Sequence, residues 1–178
     1  MFPDITRDEV FRLETRRYWL RWPVPADAQL IARVQAETAE PAGFCLFSST
    51  AAERLVEQWR SDNEIGRALH LTIVSKAEGR QPLGWVRIGP GCDGAAGLSV
   101  AVARDAGGPD IAVEAAGAVL ATAILLGSAD PVSLRSLSEE IRQAVAELGY
   151  GQIGRRGEPA AMPSMAIRPR AVLGCCLV

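Results

Sequence analysis

The stretch GGPDIAVEAAGAVLATAILLG, residues 107–127, constrains the fold more than any other part of the chain. After Pro109 it reads as a helix without a polar face, because only Asp110, Glu114 and Thr122 interrupt its small and aliphatic residues. A helix apolar on nearly all sides persists in water only when other elements cover it. The run over 111–126 is shorter than the ~20 residues a bilayer span requires and carries Glu114, so it is a core helix to be packed on a sheet. Pro109 is tolerated ahead of it, since the first helical position has no intrahelical amide bond to lose.

The sheet is legible just upstream. LHLTIV (69–74), LGWVRI (83–88) and GLSVAV (97–102) are short apolar segments separated by KAEGRQP and GPGCDGAAG, both rich in turn residues. Consecutive antiparallel pairing into a three-stranded meander is the economical arrangement. Before them, FRLETRRYWLRW (11–22) predicts a first strand with a charged outer face, closed by Pro23 and Pro25. A helix over 26–35 follows, with Asp27 in its first turn where the macrodipole favours an anion. Thr50 and Glu53 form a capping box ahead of a second amphipathic helix bearing Leu55, Val56, Trp59 and Ile65, with Gly66 as its stop. After the apolar helix come a short strand, VSLRSL (132–137), a helix announced by a Ser136/Glu139 capping box and ended by Gly149, and two last strands in YGQIGRR and SMAIRPR. The order predicts a single α+β domain over 1–178, with a mixed, mostly antiparallel central sheet flanked by helices on both faces.

Composition narrows the function classes. The formal charge is -2, and the basic residues, all arginine except Lys76, are scattered rather than blocked, so nucleic acid is not an expected partner. Cys45, Cys92, Cys175 and Cys176 match neither a metal-ligand spacing nor a secreted disulfide framework, so no metal is expected and a reducing cytoplasm is the default compartment. The N-terminus lacks an apolar signal core, and a membrane partner is not expected.

Three segments, in this order, resemble the GNAT superfamily of N-acetyltransferases, in the branch that modifies ribosomal-protein N-termini. LETRRYWLRWPVPADAQLI is similar to that branch's first strand and helix. ALHLTIVSKAEGRQPLGWVRIGPG is similar to its second and third strands, with Leu83, Gly84 and Trp85 at the usual hydrophobic-Gly-hydrophobic start. GLSVAVARDAGGPDIAVEAAGAVL is similar to its fourth strand, cofactor loop and following helix, and AELGYGQIGRR more weakly to its Leu-Gly-Phe helix end and sixth strand.

The resemblance implies acetyl-CoA as cofactor and a small-molecule or protein amine as acceptor, with a second copy of the chain as a further partner to consider. It also implies that Val100, Ala101 and Val102 present strand amides to the thioester, and that Gly107, Gly108, Asp110, Ile111 and Ala112 form the diphosphate loop. In the family's Gln/Arg-x-x-Gly-x-Gly/Ala pattern, Gly107 takes the Gln/Arg position, Asp110 the first glycine and Ala112 the last. Only Ala112 keeps the pattern. Asp110 puts a carboxylate where phosphates should sit, and Pro109 removes an amide donor. Ser136 and Ser138 are the candidates for protonating a departing thiolate, against a plain capping role. His70 and Trp85 are candidates for the acceptor groove, and Glu114 is expected to pair with Arg104 or another arginine. Two functions follow: an acyl-CoA-dependent N-acyltransferase with a divergent diphosphate loop, or a catalytically inactive binding or scaffolding module of the same fold that does not use acetyl-CoA.

Overall fold

The structure, a computed structural model, describes residues 11–38, 49–77, 81–90, 96–125, 132–134 and 137–150. Its strands are β1 (Arg12–Glu14), β2 (Tyr18–Arg21), β3 (Leu69–Ser75), β4 (Pro82–Pro90), β5 (Ala96–Val102) and β6 (Val132–Ser133). Its helices are α1 (Ala28–Thr38), α2 (Ser49–Glu64), α3 (Asp110–Leu125) and α4 (Glu139–Glu147). The strands form one sheet in the order β1-β2-β3-β4-β5-β6, every neighbour antiparallel except the parallel pair β5–β6. The predicted α+β class, the mixed sheet and the meander of β3, β4 and β5 are all present.

Register sorts the side chains onto two faces. Leu13, Leu20, Ile73, Gly84 and Val102 lie in one cross-strand row, and Leu71, Val86 and Val100 lie in another on the same face. This face carries the main core, where α3 contributes Ile111, Ala115, Ala116, Val119 and Leu120, and α4 contributes Val145. Every described side chain of α3 from Ile111 to Ala123 is buried or half-buried, as its apolar sequence requires. The opposite face presents Thr72, Trp85 and Ala101 in a row, and α1 and α2 cover it.

Several local expectations are corrected. The single first strand over 11–22 is two strands, because Thr15 closes a turn: its hydroxyl donates to the Tyr18 carbonyl and accepts from the Tyr18 amide, both at 3.0 Å, with Arg16 and Arg17 between them. Leu13 and Leu20 then pair across the hairpin, so the apolar alternation survives the fold-back. Asp27 does not sit in the first turn of α1, which begins at Ala28. It ends a 3₁₀ turn, Pro25–Asp27, and is 1% exposed. Its carboxylate takes a bidentate pair from Arg21 (2.8 and 2.9 Å) and single bonds from Thr72 Oγ1 (2.9 Å) and the Val24 amide (3.0 Å). α2 starts at Ser49, so Thr50 lies inside its first turn rather than capping it. Ile65, past the end of that helix, is 68% exposed rather than on its buried face. Gly66 and Gly149 follow α2 and α4 with positive φ, as stop residues should. The cap of α4 is Ser138, whose side chain accepts from the Ile141 amide; Ser136 lies outside the described residues. The predicted strand over 132–137 shortens to β6, and the strands predicted in 150–156 and 164–170 fall outside the described residues except for Tyr150.

Candidate functional site

The site is built where β5 leaves its parallel neighbour. Among the described residues β6 pairs with β5 at Ala96–Val132 and Gly97–Ser133, while β5 runs on to Val102. The direction of the remaining amides follows from one bond. The Ala103 amide donates to the Leu83 carbonyl at 2.9 Å, continuing the register in which Val102 opposes Gly84. Polar groups of an antiparallel pair alternate between the two sides of the strand. Ala101, two residues back from Ala103, therefore points its amide at β4, while Val100 and Val102 direct theirs to the β6 side. Of the three strand positions expected to offer amides, the register assigns two.

Gly84 makes this geometry possible. A Cβ at that position would lie 2.2 Å from the Ala101 carbonyl oxygen and 2.8 Å from Val102 Cα. Only glycine lets β4 come so close to β5 at the point where β5 carries the outward amides.

After β5 the chain makes a short 3₁₀ turn (Arg104–Ala106) and enters α3 through Gly107, Gly108 and Pro109. Gly107 has φ 127°, a conformation open only to glycine, and a Cβ there would meet Ile111 Cδ1 at 3.4 Å. Ile111 and Ala112 are buried under the sheet, so what they offer the loop is backbone. Asp110 is the first residue of α3 and exposed. The Pro109 carbonyl accepts the Val113 amide at 2.9 Å, which starts the helical ladder.

The loop is also tethered to α1, by residues that no local sequence signal could reveal because they lie about seventy positions away. The Glu37 carboxylate accepts from the Arg104 amide at 2.9 Å, the Arg104 guanidinium donates to the Glu37 carbonyl at 3.2 Å, and Arg33 pairs with Asp105 at 2.9 Å.

The other candidates are engaged elsewhere. Glu114 pairs with Arg17, not Arg104: Arg17 donates its amide to Oε1 at 2.8 Å and its Nε to Oε2 at 2.7 Å, which fastens the β1–β2 turn to α3. Burial alone would raise its pKa, but donation from Thr15 and Arg17 outweighs this and holds the carboxyl below the usual range. His70 does not look into an open groove. It is 3% exposed beneath α2, stacked on Trp59 at 4.8 Å, with Asn63 bonded to both its backbone amide and carbonyl. Its Nε2 lies 3.4 Å from Asp62 Oδ2, yet neither ring nitrogen completes a hydrogen bond among the described residues. Burial, helped by Arg87 and opposed by Asp62, lowers its pKa to about 4, so the ring is neutral near pH 7. Trp85 packs edge-on to Trp59 at 5.4 Å, between the sheet and helices α1 and α2. Val100 and Val102 lie at the end of β5, and Gly107, Gly108 and Asp110 follow in the loop and the first residue of α3. No described contact brings His70 or Ser138 into that group.

No family model matches the chain, and no curated relative does. Solved structures do resemble it. RimJ of Mycobacterium smegmatis, solved with CoA-disulfide, superposes with TM-score 0.61 at 19% identity over 79% of this chain and 76% of its own. The ribosomal-protein-S5-alanine acetyltransferase of Vibrio fischeri gives 0.61 at 14% identity, over 78% and 81%. The microcin C7 self-immunity acetyltransferase MccE, solved with acetyl-CoA and AMP, gives 0.57 at 17% identity, over 75% and 77%. With the sheet order and the parallel β5–β6 pair, these superpositions establish that the chain has the fold of the GNAT acetyltransferases, ribosomal-protein acetyltransferases among them.

Proposed function

We propose that the chain is an N-acyltransferase that moves an acyl group from acyl-CoA to an amine on a small molecule or protein. The observation that carries this reading is the edge of β5, where Val100 and Val102 direct amides to the side on which the two-residue partner β6 has ended. When bound, the donor supplies a thioester carbonyl as electrophile. An amide aimed at its oxygen stabilises the charge that grows there as the amine attacks. The acceptor nitrogen forms the new C–N bond as the C–S bond breaks, and the proton lost by nitrogen balances the one gained by the thiolate. No covalent enzyme intermediate is needed. His70, Glu114 and Ser138 are buried under α2, paired with Arg17 and capping α4 respectively, so none is assigned to the proton transfer.

The strand half of the site suits a pantetheine arm, whose amide groups can bond to an extended edge. The loop half suits a diphosphate poorly, because Pro109 offers no amide and Asp110 adds a negative charge. That loop is the specific feature favouring the second reading, a binding or scaffolding module without turnover. Calorimetry with acetyl-CoA and desulfo-CoA, joined to an assay for released thiol over a panel of amines, separates the two. Micromolar binding with thiol release is the expected result. Binding weaker than millimolar removes the transferase reading.

A further inference from the structure

The loop between β5 and α3 already holds its own anions. The Arg104 amide is taken by the Glu37 carboxylate, the Ala106 amide by the Ala103 carbonyl (3.0 Å), and the Val113 amide by the Pro109 carbonyl (2.9 Å). Pro109 has no amide to give. The guanidinium groups nearby are committed as well: Arg33 to Asp105, Arg104 to the Glu37 carbonyl, and Arg17, which feels the Asp110 charge, to Glu114. Asp110 is the first residue of α3, and its side chain stands on the first turn where a bound phosphate would draw on the dipole, while Asp105 lies in the 3₁₀ turn before it and Glu37 holds the Arg104 amide. A loop with a proline in place of one amide, its nearby cations paired and a carboxylate at the helix start offers a diphosphate repulsion and one donor fewer. Among the described residues the β5 edge carries no such obstruction, since the amides of Val100 and Val102 face outward there.

From this contrast we infer that the donor is recognised through its acyl-pantetheine arm alone, and that the nucleotide diphosphate adds nothing to binding. The substrate class is then the acyl thioester of pantetheine, of which acyl-CoA is one bearer among others. This inference rests on the acyltransferase reading and specifies its donor.

The test is equilibrium binding and thiol release by the full chain with S-acetyl-pantetheine and with acetyl-CoA. The two dissociation constants are expected to agree within about threefold. The Asp110→Gly variant is expected to gain about fivefold to twentyfold for acetyl-CoA, the repulsion of one carboxylate by one or two phosphate charges about 5 Å away in water-like dielectric, and to leave acetyl-pantetheine unchanged. Acetyl-CoA binding more than tenfold tighter than acetyl-pantetheine by the unaltered chain overturns this inference while leaving acyl transfer intact. Binding of neither thioester overturns both.

Discussion

Replacing Gly84 with alanine should damage both the sheet and the proposed site, and the size of the effect can be worked from the backbone. The added methyl would sit 2.2 Å from the Ala101 oxygen, where an ordinary carbon–oxygen contact is about 3.3–3.6 Å. The obstacles are backbone atoms, with Val102 Cα at 2.8 Å and Ala101 C at 3.1 Å, so no side-chain rotation relieves them. β5 must retreat by about 1 Å. The 2.9 Å bond from the Ala103 amide to the Leu83 carbonyl would then stretch past the hydrogen-bonding range. Overpacking at about 1–3 kcal/mol, with one or two ladder bonds at about 1 kcal/mol each, totals about 2–5 kcal/mol. For a chain of this length that lowers the Tm by about 5–15 °C, read by circular dichroism at 222 nm. Gly108→Ala is the control, because its added methyl meets nothing within 4 Å, and its Tm should stay within about 1 °C. A Gly84→Ala protein melting within 2 °C of the parent would refute the close approach of β4 and β5 on which the site is built.

Other perturbations follow from the buried polar groups. His70 has its folded pKa lowered from 6.5 to about 4, so the unfolded chain binds the extra proton first. Stability should therefore be complete above pH 6.5 and decline as pH falls toward 4, by about 3 kcal/mol in all, and urea titrations of His70→Phe should show that decline flattened. Asp62, whose pKa burial would raise but Gln58 and Arg67 pull down, loses its contribution only at still lower pH, so the two windows separate. Asp27→Ala strips the Arg21 guanidinium, the Thr72 hydroxyl and the Val24 amide of one acceptor group at once. With Arg21 partly solvated, a loss of about 2–4 kcal/mol is expected in chemical denaturation, and less than 1 kcal/mol would contradict the described network. Glu114→Gln should leave the global melt nearly unchanged but raise amide exchange in the β1–β2 turn, because it removes the charge that holds Arg17; unchanged exchange there would argue against the tether.

What the sequence determined by itself is what local periodicity and steric punctuation determine. The meander of β3, β4 and β5 was written in three short apolar runs between turn residues, and the burial of α3 in its lack of a polar face. The α+β class and the resemblance to an acetyltransferase fold followed from their order. Tertiary structure decided matters that depend on partners distant in the chain. Residues 11–22 alternate equally well as one strand or two, and only the Thr15 turn folds them back. Glu114 had several arginines to choose from and took Arg17, 97 positions away. The carboxylate that takes the Arg104 amide ahead of α3 comes from α1, at Glu37. Which amides of β5 face outward depends on the phase of its pairing with β4, and a hydrogen-bond phase leaves no mark in the identity of the residues that carry it.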